Sequence, residues 1–301
     1  MIRWVLAAAL LTAQPAQDAD LARAEALHDQ GQTNAALTLL LNAGQSAVKD
    51  GEVERGIVLL ERAIELRPGL ASSHAAFGHA CLQADRHHDA VQHLTRALEL
   101  GETNPMATLF LGAALWESGD YNAAESAYGG LAGSTGPAAA AARSSLGALR
   151  VFRGEYEAAI APLAAALGEM PGSVQVRYDL ARALEGAGRD AEAMELFAAA
   201  LEQDPAFLQA HYRLARLHQA AGEPRRAAHH LERFEQLHAE HQRATREEGR
   251  VGARVKQARA LYHGGDEEAA TSAIERLLAA EPERLDLRLL LDEWRLGGAR
   301  P

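Results

Sequence analysis

The sequence predicts an all-α fold, a solenoid of antiparallel helix pairs, and three observations predict it. Hydrophobic residues make up 48% of the chain and aromatics only 5%. The apolar mass is therefore mostly aliphatic and rich in alanine, a strong helix former that is depleted in strands. Small residues then recur in two columns twelve apart: Gly78 and Ala90, Gly112 and Ala124, Gly147 and Ala159, Ala181 and Ala193, Ala215 and Ala227, Ala258 and Ala270. These pairs follow one another every 34 residues, with one extra residue in the loop 129–136 and nine extra before the last pair. Self-similarity at such a period marks an array whose units bury their apolar faces against each other.

Each element follows from that frame. Between the small residues lies a turn, marked by Gly119, Gly154, Gly188, Gly222 and Gly265, with Asp85 in that place in the first full copy. Glycine ends a helix at little cost because it adopts the left-handed C-cap conformation without a Cβ penalty. Larger apolar residues surround the small ones at helical spacing: Leu94, Tyr128, Leu163, Phe197, Leu231 and Ile274 in the second helices, and Phe77, Leu111, Leu146, Leu180 and Leu214 in the first. Pro68, Pro171, Pro205 and Pro282 fall just after second helices and stop them. Toward the N-terminus, turns at Gly31 and Gly51 are twenty residues apart, so one helix serves both, and helices are expected near 18–29, 33–49 and 52–66. The stretch ERLDLRLLLDEWRL reads as a final helix stopped by Gly297 and Gly298. It serves as a cap, or its leucine-rich side with Trp294 docks a partner or a second copy of the chain.

The 34-residue period, together with stretches such as LGAALWESGDYNAAESAY, LGALRVFRGEYEAAIAPLAAALGEMP and AATSAIERLLAAEP, resembles tetratricopeptide repeats over about residues 71–284. The expected organisation is irregular N-terminal helices with one partial repeat over 17–70, five repeats over 71–241, an insertion over 242–250, a last repeat over 251–284 and a capping helix over 285–297. The array departs from the pattern at Gln257, where a large apolar residue is usual, and at Phe234 and Leu277, where a small one is usual. The resemblance implies a right-handed superhelical solenoid whose concave face is lined by first helices. It also implies peptide binding in that groove, sometimes with charged side chains clamping an acidic or C-terminal carboxylate.

Helical geometry places Ser72, His79, Met106, Leu109, Trp116, Val151, Phe152, Tyr178, Arg182, Tyr212, Arg216, Arg259 and Tyr262 on the open side of the first helices. The groove so defined is apolar and aromatic from Met106 to Phe152. Farther on, tyrosine alternates with arginine: Tyr178 and Arg182 share a helix face, as do Tyr212 and Arg216 one repeat later. Guanidinium groups suit bidentate capture of carboxylates, and tyrosine adds flat contact area and a hydroxyl. Pairing of these arginines with nearby acids such as Glu185 is the competing structural reading. The expected partner is a protein or peptide with an acidic or carboxylate-bearing segment.

Other chemistry has little support. The net charge is −11 with acids and bases mixed along the chain, which disfavours nucleic acid and anionic lipid. Enzyme signatures such as H-E-x-x-H, G-x-S-x-G and G-x-G-x-x-G after a strand are absent from the sequence. Lys49 and Lys256, the two lysines, sit in no P-loop frame, and no catalytic residue or cofactor is expected. Of the thirteen histidines, His238 and His241 are three apart, but two ligands do not complete a zinc site, so no metal site is assigned and a metal-responsive binder is a lesser alternative. Self-assembly through the array ends is the other. Cys81, the single cysteine, reads as a small buried hydrophobe. Residues 1–16, with Arg3, an apolar run from Trp4 to Leu11 and small residues after it, have the order of a secretory signal, so export to the periplasm or outside is expected. That run is shorter than the roughly 20 residues that span a bilayer.

Overall fold

The computed structural model describes residues 18–295. The signal segment and the glycines at 297 and 298 lie outside the described residues. Among the described residues fifteen helices follow one another: α1 (Ala19–Asp29), α2 (Thr33–Lys49), α3 (Val53–Leu66), α4 (Ala71–Gln83), α5 (His87–Glu99), α6 (Pro105–Glu117), α7 (Tyr121–Ala132), α8 (Pro137–Arg153), α9 (Tyr156–Glu169), α10 (Val174–Gly186), α11 (Asp190–Gln203), α12 (Leu208–Ala220), α13 (Pro224–His263), α14 (Glu267–Ala280) and α15 (Leu285–Arg295). There is no strand among the described residues. The chain forms two compact units, Asp20–Phe234 and the described part of Glu235–Pro301.

In the first unit the fold is an all-α solenoid. Every helix from α2 to α11 packs on the next one in sequence. The first helices of successive pairs also touch, α2 on α4, α4 on α6, α6 on α8 and α8 on α10, whereas no two second helices meet to a comparable extent. Like helices converge only on the inside of a curve, so the first helices form the inner layer.

The small columns set that packing. A Cβ on Gly78 would lie 2.6 Å from Leu94 Cγ, one on Gly112 2.5 Å from Tyr128 Cε1, and one on Gly147 2.3 Å from Leu163 Cγ. Each glycine is thus the floor on which the large residue of the opposite helix rests, and Leu94, Tyr128, Leu163 and Phe197 are buried. Gly44 repeats the contact, its Cβ position 2.7 Å from Leu60 Cγ, with Gly56 twelve residues on. The pair α2–α3 therefore packs as the later pairs do, and the column starts one unit earlier than the sequence reading places it. The expected turn residues have left-handed φ, with Asp85 at 56° among glycines at 76° to 90°.

Leu231, expected in the buried column, is 44% exposed. The cause is α13, which runs unbroken for 40 residues through the insertion 242–250. A column residue is covered when the chain turns and lays the next first helix across it, and here the chain does not turn. In the second unit Val251, Ala258 and Tyr262 of α13 pack with Ala270, Ile274 and Leu277 of α14 and with Leu287, Leu290, Leu291 and Trp294 of α15. Cys81 is fully buried, and burial pushes its thiol up to about 11.

Candidate interaction surface

The inner layer carries two features on α6 to α12. One is a cluster of three rings near the turns. Trp116 at the end of α6, Tyr121 at the start of α7 and Phe152 at the end of α8 lie with ring centres 5.1 to 6.2 Å apart. Trp116 and Tyr121 are half-buried, and Phe152 is 59% exposed. Such ring pairs hold one another in fixed geometry beyond simple burial, so the cluster offers a rigid apolar face to solvent. Tyr121 escapes the sequence reading because only first helices were considered. The turn at Gly119 brings the start of a second helix beside the end of the next first helix. One unit on, Tyr156 again starts the second helix, but its ring lies over Gly186, whose Cβ position is 2.3 Å from it. The three-ring cluster is therefore confined to one place.

The second feature is polar. Tyr178 and Tyr262, expected on the groove, are core residues instead, 8% and 4% exposed. Tyr178 is held between Phe197 and Phe207 at 5.5 and 5.0 Å. Tyr262 stacks on Trp294 at 4.6 Å. Both rings have large apolar neighbours across the helix junction, a fact that spacing within one helix does not reveal. Val151 is buried for the same reason, at 2%. Tyr212 does remain exposed, at 43%, with its ring 5.4 Å from Phe234.

Arg182 sits over the Tyr178 ring at 5.8 Å and 3.7 Å from Asp179, a buried carboxyl that also accepts a 2.9 Å hydrogen bond from Gln175. Burial raises the Asp179 pKa, against the hydrogen bond and the arginine. Glu185 pairs with Arg213 at 3.1 Å and so leaves Arg182 and Arg216 to other partners. Arg189 and Arg226 are likewise engaged by Glu192 and Glu223. Arg216 is exposed and has no carboxylate partner among the described residues. Met106 and Leu109 are half-buried on α6, and His79 stacks on Phe110 at 4.2 Å. Arg259 is exposed on α13 in the second unit.

No group of three or more His, Cys, Asp or Glu side chains is placed to hold a metal among the described residues. His238 and His241 are exposed. No described helix is long and apolar enough to cross a membrane.

Tetratricopeptide repeat models match residues 75–139, 111–174 and 153–204, the stretch in which the glycine floors and left-handed turns recur. Over these residues the chain is a tetratricopeptide repeat array. Among solved structures, the repeat protein is similar to Pseudomonas aeruginosa PilF, with 18% identity, a TM-score of 0.59, and coverage of 69% of this chain and 98% of that one. It is also similar to MamA from Desulfovibrio magneticus RS-1, with 21% identity, a TM-score of 0.53, and coverage of 56% of this chain and 96% of that one. At these identities the likeness concerns the fold. No curated protein matches the sequence. A tetratricopeptide array is a scaffold for protein interaction, and that is the coarse function of this repeat protein.

Proposed function

We propose that the inner face of the Asp20–Phe234 unit binds an extended peptide of a protein partner without chemical transformation. The ring cluster serves as apolar anchor, and Arg182 and Arg216 receive a carboxylate. Met106 and Leu109 extend the apolar side, and Tyr212 flanks the arginines. The observation that carries the reading is Phe152, a large aromatic left 59% exposed while fixed by two neighbouring rings. An isolated exposed ring needs no explanation, but a preorganised apolar face is what an interface core uses.

Export through the N-terminal segment belongs to the same proposal, so the partner would share that compartment. Sequencing the mature N-terminus tests export: a start at or near Gln17 is expected, and an intact Met1 on the purified native protein overturns it. Partners captured from that compartment with the wild-type chain should be lost with Phe152→Ala. Undiminished capture by that variant would remove the ring cluster from the reading.

A further inference from the structure

The continuous helix α13 leaves a second surface open, in the Glu235–Pro301 unit. In the regular pairs the chain turns, so that each first helix from α4 to α12 is covered by the second helix before it. α13 makes no such turn and runs unbroken through residues 254–261. There α13 and α14 enclose an open cleft of about 300 Å³, lined by Arg254, Gln257 and Leu261 from α13 and by Ala273, Arg276 and Leu277 from α14. Each set has the three- and four-residue spacing of one helix face. Two of the sequence departures, Gln257 and Leu277, lie in it. The floor is apolar, and the rim holds two guanidinium groups. Arg254 has no carboxylate partner among the described residues, and Arg276 bonds the Ser272 carbonyl. In a chain of net charge −11 that rim is a local cationic site.

A complementary surface lies on α15. Leu287, Leu290, Leu291 and Trp294 bury its inner side. The outer side carries Leu285 and Leu289, four apart and 67% and 69% exposed, followed by Asp292 three residues on. Asp292 has no partner among the described residues. We propose that this outer stripe of one copy seats in the α13–α14 cleft of a second copy, with the leucines on Leu261, Ala273 and Leu277 and the Asp292 carboxylate between Arg254 and Arg276. Because the inner side of α15 is fixed to its own unit, the stripe faces away from that unit and serves another molecule. Its two faces differ, so the contact is heterologous and copies add head to tail. The arrangement stacks one helix pair on the next, as units stack inside the array. A contact this small gives concentration-dependent association. It stands independently of the peptide groove.

The test is sedimentation velocity of the full chain over a dilution series, with circular dichroism melts as the control for folding. Wild type is expected to grow beyond dimer as concentration rises. Leu285→Asp with Leu289→Asp, and separately Arg254→Glu with Arg276→Glu, alter exposed faces and should each give monomer only. An equimolar mixture of the two variants keeps one good stripe and one good cleft, and should form a dimer and nothing larger. Wild type that stays monomeric overturns the proposal. So does association of the arginine variant as strong as wild type, the result a symmetric α15–α15 contact would give, or a mixture that remains monomeric.

Discussion

The Nδ1 atoms of His211 and His230 lie 3.0 Å apart, and the Nε2 of His211 lies 3.2 Å from the Pro205 carbonyl. His74 and His93 repeat the arrangement, with Nδ1 atoms 3.0 Å apart and the Pro68 carbonyl 2.9 Å from His74 Nε2. A carbonyl only accepts, so Nε2 of the first histidine donates, its Nδ1 accepts, and the second histidine donates from Nδ1.

A second proton on His211 would sit at Nδ1 and set two donors face to face, whereas His230 takes one at Nε2 and still donates from Nδ1. Burial and the neighbouring His211, His218 and His229 hold the His230 pKa down to about 4, and burial lowers that of His211. Between about 4 and the ordinary 6.5 the unfolded chain binds a proton that the folded chain does not, so stability rises with pH across this window and falls as pH drops through it. His79 and His93, also lowered by burial, add the same sign. Glu223, held low by its bonds to His218 and Arg226, adds to the loss as pH falls further. Urea midpoints should therefore fall from pH 7 to pH 4.5, and less steeply in His230→Gln. An equal slope in that variant would refute the assignment.

Glycine at the floor of a pair and glycine on an open face should respond to alanine in opposite ways. The Cβ of Gly147→Ala would press on Leu163 at 2.3 Å, whereas one on Gly130 in α7 meets nothing within 4 Å. Overpacking of this kind costs about 1–3 kcal/mol. In an open helix position alanine instead gains about 0.5–1 kcal/mol. Thermal melts of the two variants should move in opposite directions.

Asp85 is the non-glycine residue with positive φ among the described residues, at the turn that glycine occupies in later pairs. Its left-handed backbone carries a steric cost of roughly 1 kcal/mol that glycine lacks, partly offset by the added freedom of the unfolded chain. Asp85→Gly should stabilise the fold by up to about 0.5 kcal/mol. A drop in melting temperature would show that the Asp85 side chain contributes more than its backbone strain removes.

These responses trace what the sequence made legible. Columns of small residues and turn glycines are local and periodic, so helix positions such as 33–49 could be read directly. Tyr178 could not be placed, because its helical face is open within α10 and is closed only by Phe197 and Phe207 of α11 and the loop that follows. The continuity of α13 was hidden for a related reason. Gly249 in the insertion and Gly252 just after it favour a break, yet the surrounding residues are mostly good helix formers and the helix continues. Which of the arginines expected on the groove already holds an acid depends on contacts across helices, as between Arg213 and Glu185.

The two groove arginines differ in a way that separates binding from folding. Arg216 has no carboxylate partner among the described residues, so Arg216→Ala should leave the melting temperature unchanged and weaken an acidic peptide captured by the inner face. Arg182 balances the buried Asp179, so Arg182→Ala should lower stability as well as binding. The double variant should lose roughly tenfold in affinity, about 1.4 kcal/mol, in dilute buffer. The loss should shrink as salt is raised, because exposed charges are screened beyond a Debye length of about 8–10 Å at physiological ionic strength. Titration calorimetry of both single variants and the double, at two salt concentrations, checks this. Affinity that is insensitive to Arg216 at low salt would take the carboxylate-receiving role away from this face and leave the ring cluster as its anchor.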